Sequence, residues 1–123
     1  MSTIIHIEIG PHRLEAEIYD TPTGRAILKA LPLHTQIITW GDEIYFRVNA
    51  KAPLEEDAVE QVAIGDLAYW PTMPAFCIFF GPTPVSIDDE PRAASPVNVF
   101  GHLVQPDVEL LRNFRDGEPV TVS

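Results

Sequence analysis

Positions 3 to 18 set the first pattern. The isoleucines at 5, 7 and 9 alternate with His6 and Glu8, and after Gly10-Pro11-His12 the same period of two resumes, with Leu14, Ala16 and Ile18 set against Arg13, Glu15 and Glu17. Apolar residues on one side and polar on the other describe two half-buried strands, and the glycine-proline pair between them supplies the turn of a hairpin. The period then changes. Thr21-Pro22 offers a hydroxyl cap and a proline at the first helical position, Ala26, Ile27, Ala30 and Leu31 share a helical face, and Pro32 ends the segment, so a short helix is predicted over 22–31.

Beyond it, Gln36 to Trp40, a Gly41-Asp42 turn and Glu43 to Val48 form a second predicted hairpin, with Ile44, Phe46 and Val48 on one face and Glu43, Tyr45 and Arg47 on the other. Ala50 to Glu60, with its Glu55-Glu56-Asp57 run, reads as a solvated loop. The densest apolar run follows. Leu67 to Trp70 and Ala75 to Phe80 are strands on either side of Pro71, and the second is apolar at every position, which implies cover on both faces. Gly81, Pro82 and Pro84 end it. Val85 to Ile87 is predicted as a short edge strand, and Val97 to Val104 as a further strand. Pro106-Asp107 opens a second helix that Asp116-Gly117 closes, and Pro119 to Val122 is the last strand. Eight strands and two short helices, linked mostly by tight turns, predict an all-β domain over 1–123: a closed antiparallel barrel with helices at its ends.

Length and charge narrow the function classes. A chain of 123 residues is one domain with one real core. Eighteen acidic against eight basic residues give a net charge of -10, a field that repels phosphate backbones and anionic membranes, so neither nucleic acid nor a membrane is an expected partner. A single cysteine, Cys77, rules out an internal disulfide and fits a reducing cytoplasm. Four scattered histidines, His6, His12, His34 and His102, lack metal-ligand spacing, and neither a metal nor a cofactor is expected. Cys77 in its apolar strand reads as a small core residue.

Four motifs carry a resemblance. TWGDEIYF at 39–46, GDLAYWP at 65–71, AFCIFFGPTP at 75–84 and SPVNVFGHL at 95–103 together resemble the small prokaryotic cyclophilin-like family, a group without a proven activity. The resemblance spans nearly the whole chain, with Thr72-Met73 standing where relatives often have Pro-Gly, and it implies a cyclophilin-type eight-stranded barrel. Taken position by position against prolyl isomerases, Tyr45-Phe46-Arg47 is similar to their Phe-His-Arg strand, which makes Arg47 the match for the catalytic arginine. Phe79-Phe80 is similar to part of their Ser-Gln-Phe-Phe strand without its glutamine. Their Gln-Gly-Gly-Asp segment has no counterpart, and Pro96 falls near the place of their pocket histidine.

The candidate site residues follow from both readings. Isomerisation requires an apolar grip on the proline ring and a donor for the twisted amide, for which Arg47, Tyr69, Trp70, Phe76, Phe79 and Phe80 are the set, unless they are core. Trp40, Glu43 and Tyr45 on the neighbouring hairpin, and Asn98 in an apolar strand, are further ligand-binding candidates. A peptide or small molecule held in an aromatic groove is the leading function; a peptidyl-prolyl isomerase and a homo-oligomeric interaction module are the alternatives.

Overall fold

The computed structural model describes residues 2–123. The chain folds into β1 (Ser2–Ile9), β2 (His12–Tyr19), α1 (Pro22–Lys29), β3 (Leu33–Gln36), β4 (Ile38–Thr39), β5 (Glu43–Arg47), β6 (Val59–Gln61), β7 (Asp66–Trp70), β8 (Ala75–Phe79), β9 (Arg92–Leu103), α2 (Val108–Arg112) and β10 (Pro119–Val122). The pairings are antiparallel, and the hydrogen-bonded path runs β3-β10-β1-β2-β9-β7-β8-β5-β4, with β6 added on β9. Among the described residues no helix is long and apolar enough to cross a membrane.

The closed barrel is overturned. The path has two ends, β3 and β4, and the strand predicted over Gln36 to Trp40 supplies only the last residue of β3, Gln36, together with β4, while Leu33–Thr35 form a strand the sequence reading did not mark. The predicted strand breaks at Ile37, whose side chain is buried. The Ile37 amide donates to the Glu118 carbonyl at 3.0 Å, and its carbonyl accepts from the Gly117 amide at 2.9 Å, so its backbone is held by the turn before β10. β3 therefore pairs only with β10 and β4 only with β5, and the sheet stays open between them.

Three smaller expectations also change. Val85 to Ile87 forms no strand: this segment is a knot of turns in which the Ile87 and Asp88 amides each donate to the Glu90 carboxylate at 2.8 Å. The loop after Ala50 is not irregular to its end, because Val59–Gln61 pairs with β9. The second helix stops at Arg112, capped by Asn113, well before Gly117, while Asp107 caps its start through the Leu110 amide.

Helix α1 starts as the sequence indicates, with the Thr21 hydroxyl accepting from the Gly24 amide at 3.0 Å and Pro22 in the first turn. Alternation along the strands sorts residues onto two faces. Ile5, Ile7, Ile9, Ala16 and Ile18 of the first hairpin join Ile44, Phe46, Leu67, Tyr69, Phe76, Ile78 and Phe100 in the main core, closed by α1 and α2. On the opposite face of β5, β7, β8 and β9 lies a smaller cluster of Ala68, Ala75, Cys77, Phe79, Ala93 and Val97, with Tyr45, Trp70, Met73 and Val99 packed against it. β8 contributes to both, which is why every one of its residues is buried.

Candidate functional site

A cavity of about 220 Å³ opens on the second face, lined by Trp40, Glu43, Tyr45, Trp70, Cys77, Phe79, Ala93, Ala94 and Val97. Its position follows from strand parity. On β5, Ile44 and Phe46 enter the main core, which turns Glu43 and Tyr45 the other way; on β8, Phe76 and Ile78 do the same and leave Cys77 and Phe79 opposite. Register aligns them, with Glu43 across from Phe79 and Tyr45 across from Cys77. Small residues at Cys77, Ala93 and Ala94 leave the space that the rings enclose. Trp40, Tyr45 and Trp70 each keep part of their surface exposed, so the cavity reaches solvent.

The wall is held in place by hydrogen bonds. The Trp70 indole N–H donates to Ser95 Oγ at 2.7 Å, fixing that ring against β9. Trp40 and Glu43 flank a turn closed by the Trp40 amide donating to the Glu43 carbonyl at 2.9 Å. Gly41 has φ +60°, and a Cβ there would come within 2.9 Å of the Thr83 Cα, so the turn packs directly on the 81–84 segment. The Asp42 amide donates to the Pro82 carbonyl and the Phe80 amide to the Asp42 carbonyl, both at 2.9 Å, while Arg112 Nη2 donates to Asp42 Oδ2 at 2.9 Å.

Glu43 is the unusual member. Its residue is 6% exposed, and the partner its carboxyl has is the Cys77 thiol. Burial raises its pKa from 4.5 to about 7, with the thiol hydrogen bond pulling weakly the other way. Burial first, then the Glu43 charge and its hydrogen bond, push the Cys77 thiol well up, so the buried sulfur stays protonated. Burial, with the Glu43, Asp116 and Cys77 charges adding to it, also raises Tyr45. Among the described residues no lysine, arginine or histidine lines the cavity.

The candidate residues divide. The cavity brings together Trp40, Glu43, Tyr45, Trp70 and Phe79. Tyr69, Phe76 and Phe80 instead belong to the main core: Phe76 stacks on Phe46 with ring centroids 4.8 Å apart and meets Phe100 edge-on at 5.1 Å, and the Tyr69 hydroxyl donates to the Ala50 carbonyl at 2.8 Å. Arg47 is exposed, and its Nη1 donates to the Met73 carbonyl at 2.8 Å, away from the cavity. Asn98 is a fully partnered clamp. Its Oδ1 accepts from the Glu55 amide at 2.8 Å, and its Nδ2 donates to Thr23 Oγ1 at 3.0 Å and to the Pro53 carbonyl at 2.9 Å, while the Thr23 hydroxyl donates to the Glu55 carboxylate. It ties β9 to α1 and the 50–58 loop.

Ala93, Ala94 and Val97 line the cavity without any mark in the sequence, since three small or aliphatic residues in a mixed stretch name no site. Cys77, read as core, is both buried and a wall residue. Among the described residues no group of three or more His, Cys, Asp or Glu is placed to hold a metal ion.

Comparison with known proteins reaches the whole fold. The family model described as Cyclophilin-like matches residues 3–123. Among solved structures, the solution structure of a hypothetical protein from Archaeoglobus fulgidus is similar at 40% sequence identity and a TM-score of 0.82, covering 99% of this chain and 94% of that one. No curated protein matches the chain.

Proposed function

The chain belongs to the Cyclophilin-like family, and because a fold by itself assigns no reaction, we propose from the cavity that it is a binding protein for a small organic ligand or a single peptide side chain. One observation carries this reading: a solvent-open, ring-walled space sits on the face of the sheet where the buried Glu43 has a thiol as the partner of its carboxyl. Ligand sites combine an apolar lining with a few placed polar groups, and this lining has that composition. The volume of about 220 Å³ equals about seven waters at ~30 Å³ each, enough for a compact fragment and too little for a long peptide.

The isomerase alternative needs a donor beside the apolar grip. Arg47 spends its guanidinium on the Met73 carbonyl, and three of the ring candidates are packed in the main core, so that reading lacks a supporting observation.

Titrating isotopically labelled protein with a set of small aromatic and alkyl compounds, and with proline-containing dipeptides, tests the proposal. Shifts are expected at the Trp40 and Trp70 indole N–H signals and the Glu43 and Cys77 amides. Ala94 is an exposed rim residue, so Ala94→Trp should cover the opening and abolish them without disturbing the core. Shifts that persist in that variant, or that arise only elsewhere, contradict the site.

A further inference from the structure

Taking the cavity as the binding site just proposed, we infer that its ligand is an organic monocation, an alkyl- or methylammonium head seated among Trp40, Tyr45 and Trp70 with the Glu43 carboxylate as counter-ion. The chemistry of the wall selects this class. Aromatic rings attract cations through the negative potential of their faces, by about 0.5–2 kcal/mol depending on desolvation. Among the described residues, none of the four cavity rings pairs with another ring, so they remain available to a guest.

Glu43 gives the second half of the case. A carboxylate buried to this degree is normally matched by a basic side chain. None lines this cavity; the ionisable neighbours that face Glu43 are the Cys77 thiol and the Tyr45 hydroxyl, both held neutral, and Asp116 adds negative potential near Tyr45. The missing positive charge can therefore come from a guest. A net charge of -10 also favours cations over anions at the entrance.

The lining separates organic from inorganic cations. A metal ion demands several oxygen, nitrogen or sulfur ligands, and here one carboxyl stands beside a thiol and a phenol that burial keeps protonated. A trimethylammonium head has methyl groups to bury against Phe79, Ala93 and Val97, and its diffuse charge is easily desolvated.

Choline and 3,3-dimethylbutanol test this directly, since they share shape and differ in charge. Calorimetric titration of the full chain at pH 8 should show choline binding about tenfold more tightly than the alcohol, the range that a partly desolvated cation–ring contact supports. The preference should shrink at pH 5, where Glu43 is protonated, and to the same extent at pH 8 in Glu43→Gln, because the rings that attract the cation remain, while Trp40→Ala weakens both ligands. Equal or tighter binding of the alcohol to the unmodified protein at pH 8 overturns the cation and leaves an apolar binding site intact. Binding of neither compound overturns it too, and the fragment titration then decides the fate of the site separately. The pH comparison uses the unmodified chain, so the outcome does not rest on whether a variant folds.

Discussion

The two faces of the β5-β8-β7-β9 region are made by alternate residues of the same strands, yet one is filled and the other hollow. On the main-core face Phe46, Phe76 and Phe100 fill the space with stacked and edge-on rings; on the opposite face Cys77, Ala93 and Ala94 stand among the rings and leave about 220 Å³ open. The buried polar groups differ in the same way. Asn98, at the edge of the filled side, has donors and acceptors matched on three sides, while Glu43 on the hollow side has a thiol. A buried polar network that is complete serves structure; a buried acid beside an empty, ring-lined space is free to serve a guest.

The largest effect should separate the faces by packing. Phe76→Ala removes the centre of the ring cluster and is expected to destabilise the fold by about 4 kcal/mol in denaturant unfolding. Trp40→Ala, at a partly exposed wall, should cost less, about 2 kcal/mol, while weakening ligand binding. Comparable losses in the two variants would mean that the hollow face is part of the load-sharing core.

Next comes pH. Glu43 has a folded pKa of about 7 against an ordinary 4.5, so the folded state binds the proton more tightly than the unfolded one. Its contribution is fully present below about pH 4.5, declines as pH rises, and is gone above about pH 7. The shift corresponds to about 3 kcal/mol. Glu43→Gln should flatten that stretch of the stability profile, as followed by urea unfolding at several pH values; an unchanged slope would show that the carboxyl is solvated.

Asn98→Ala tests the completed network. It strands the Glu55 amide and the Pro53 carbonyl and should destabilise by about 2 kcal/mol, leaving ligand binding in place. Loss of binding at full stability would place Asn98 in the site. The smallest effect belongs to the 86–92 knot, where the Ile87 amide first, then Arg92 and the Asp88 amide, lower Glu90 to about 2. That stabilisation is present above the ordinary value of 4.5 and lost as pH falls towards 2. Glu90→Gln should therefore speed amide exchange at Ile87 and Asp88 at neutral pH and matter less in acid.

Much of the molecule could be read in its sequence, and the gaps have physical causes. Alternation at Ile5, Ile7, Ile9 and at Ile44, Phe46, Val48 marks the core face correctly, and Thr21-Pro22 marks α1. Alternation says nothing about the backbone partners of Ile37, which belong to a turn eighty residues away and leave the sheet open. Nor could it tell Phe76 from Phe79: β8 is apolar throughout, so parity places the two on opposite faces without saying which face is hollow. Glu43 and Tyr45 stood out on their strand, but the cover supplied by Ala93, Ala94 and Val97 depends on the first half of β9, which pairs with β6 and packs Ala93 and Val97 against Cys77 and Phe79. Arg47 shared their side and was drawn off by a carbonyl no sequence pattern points to.

The most direct measurement follows the side-chain carboxyl carbon of Glu43 by NMR across pH 3 to 9, with and without choline. A midpoint near 7 that moves to lower pH when choline is added is the expected result, because a bound cation favours the ionised acid. A midpoint near 4.5 that choline leaves unmoved would contradict both the buried, unmatched carboxyl and the guest proposed for it.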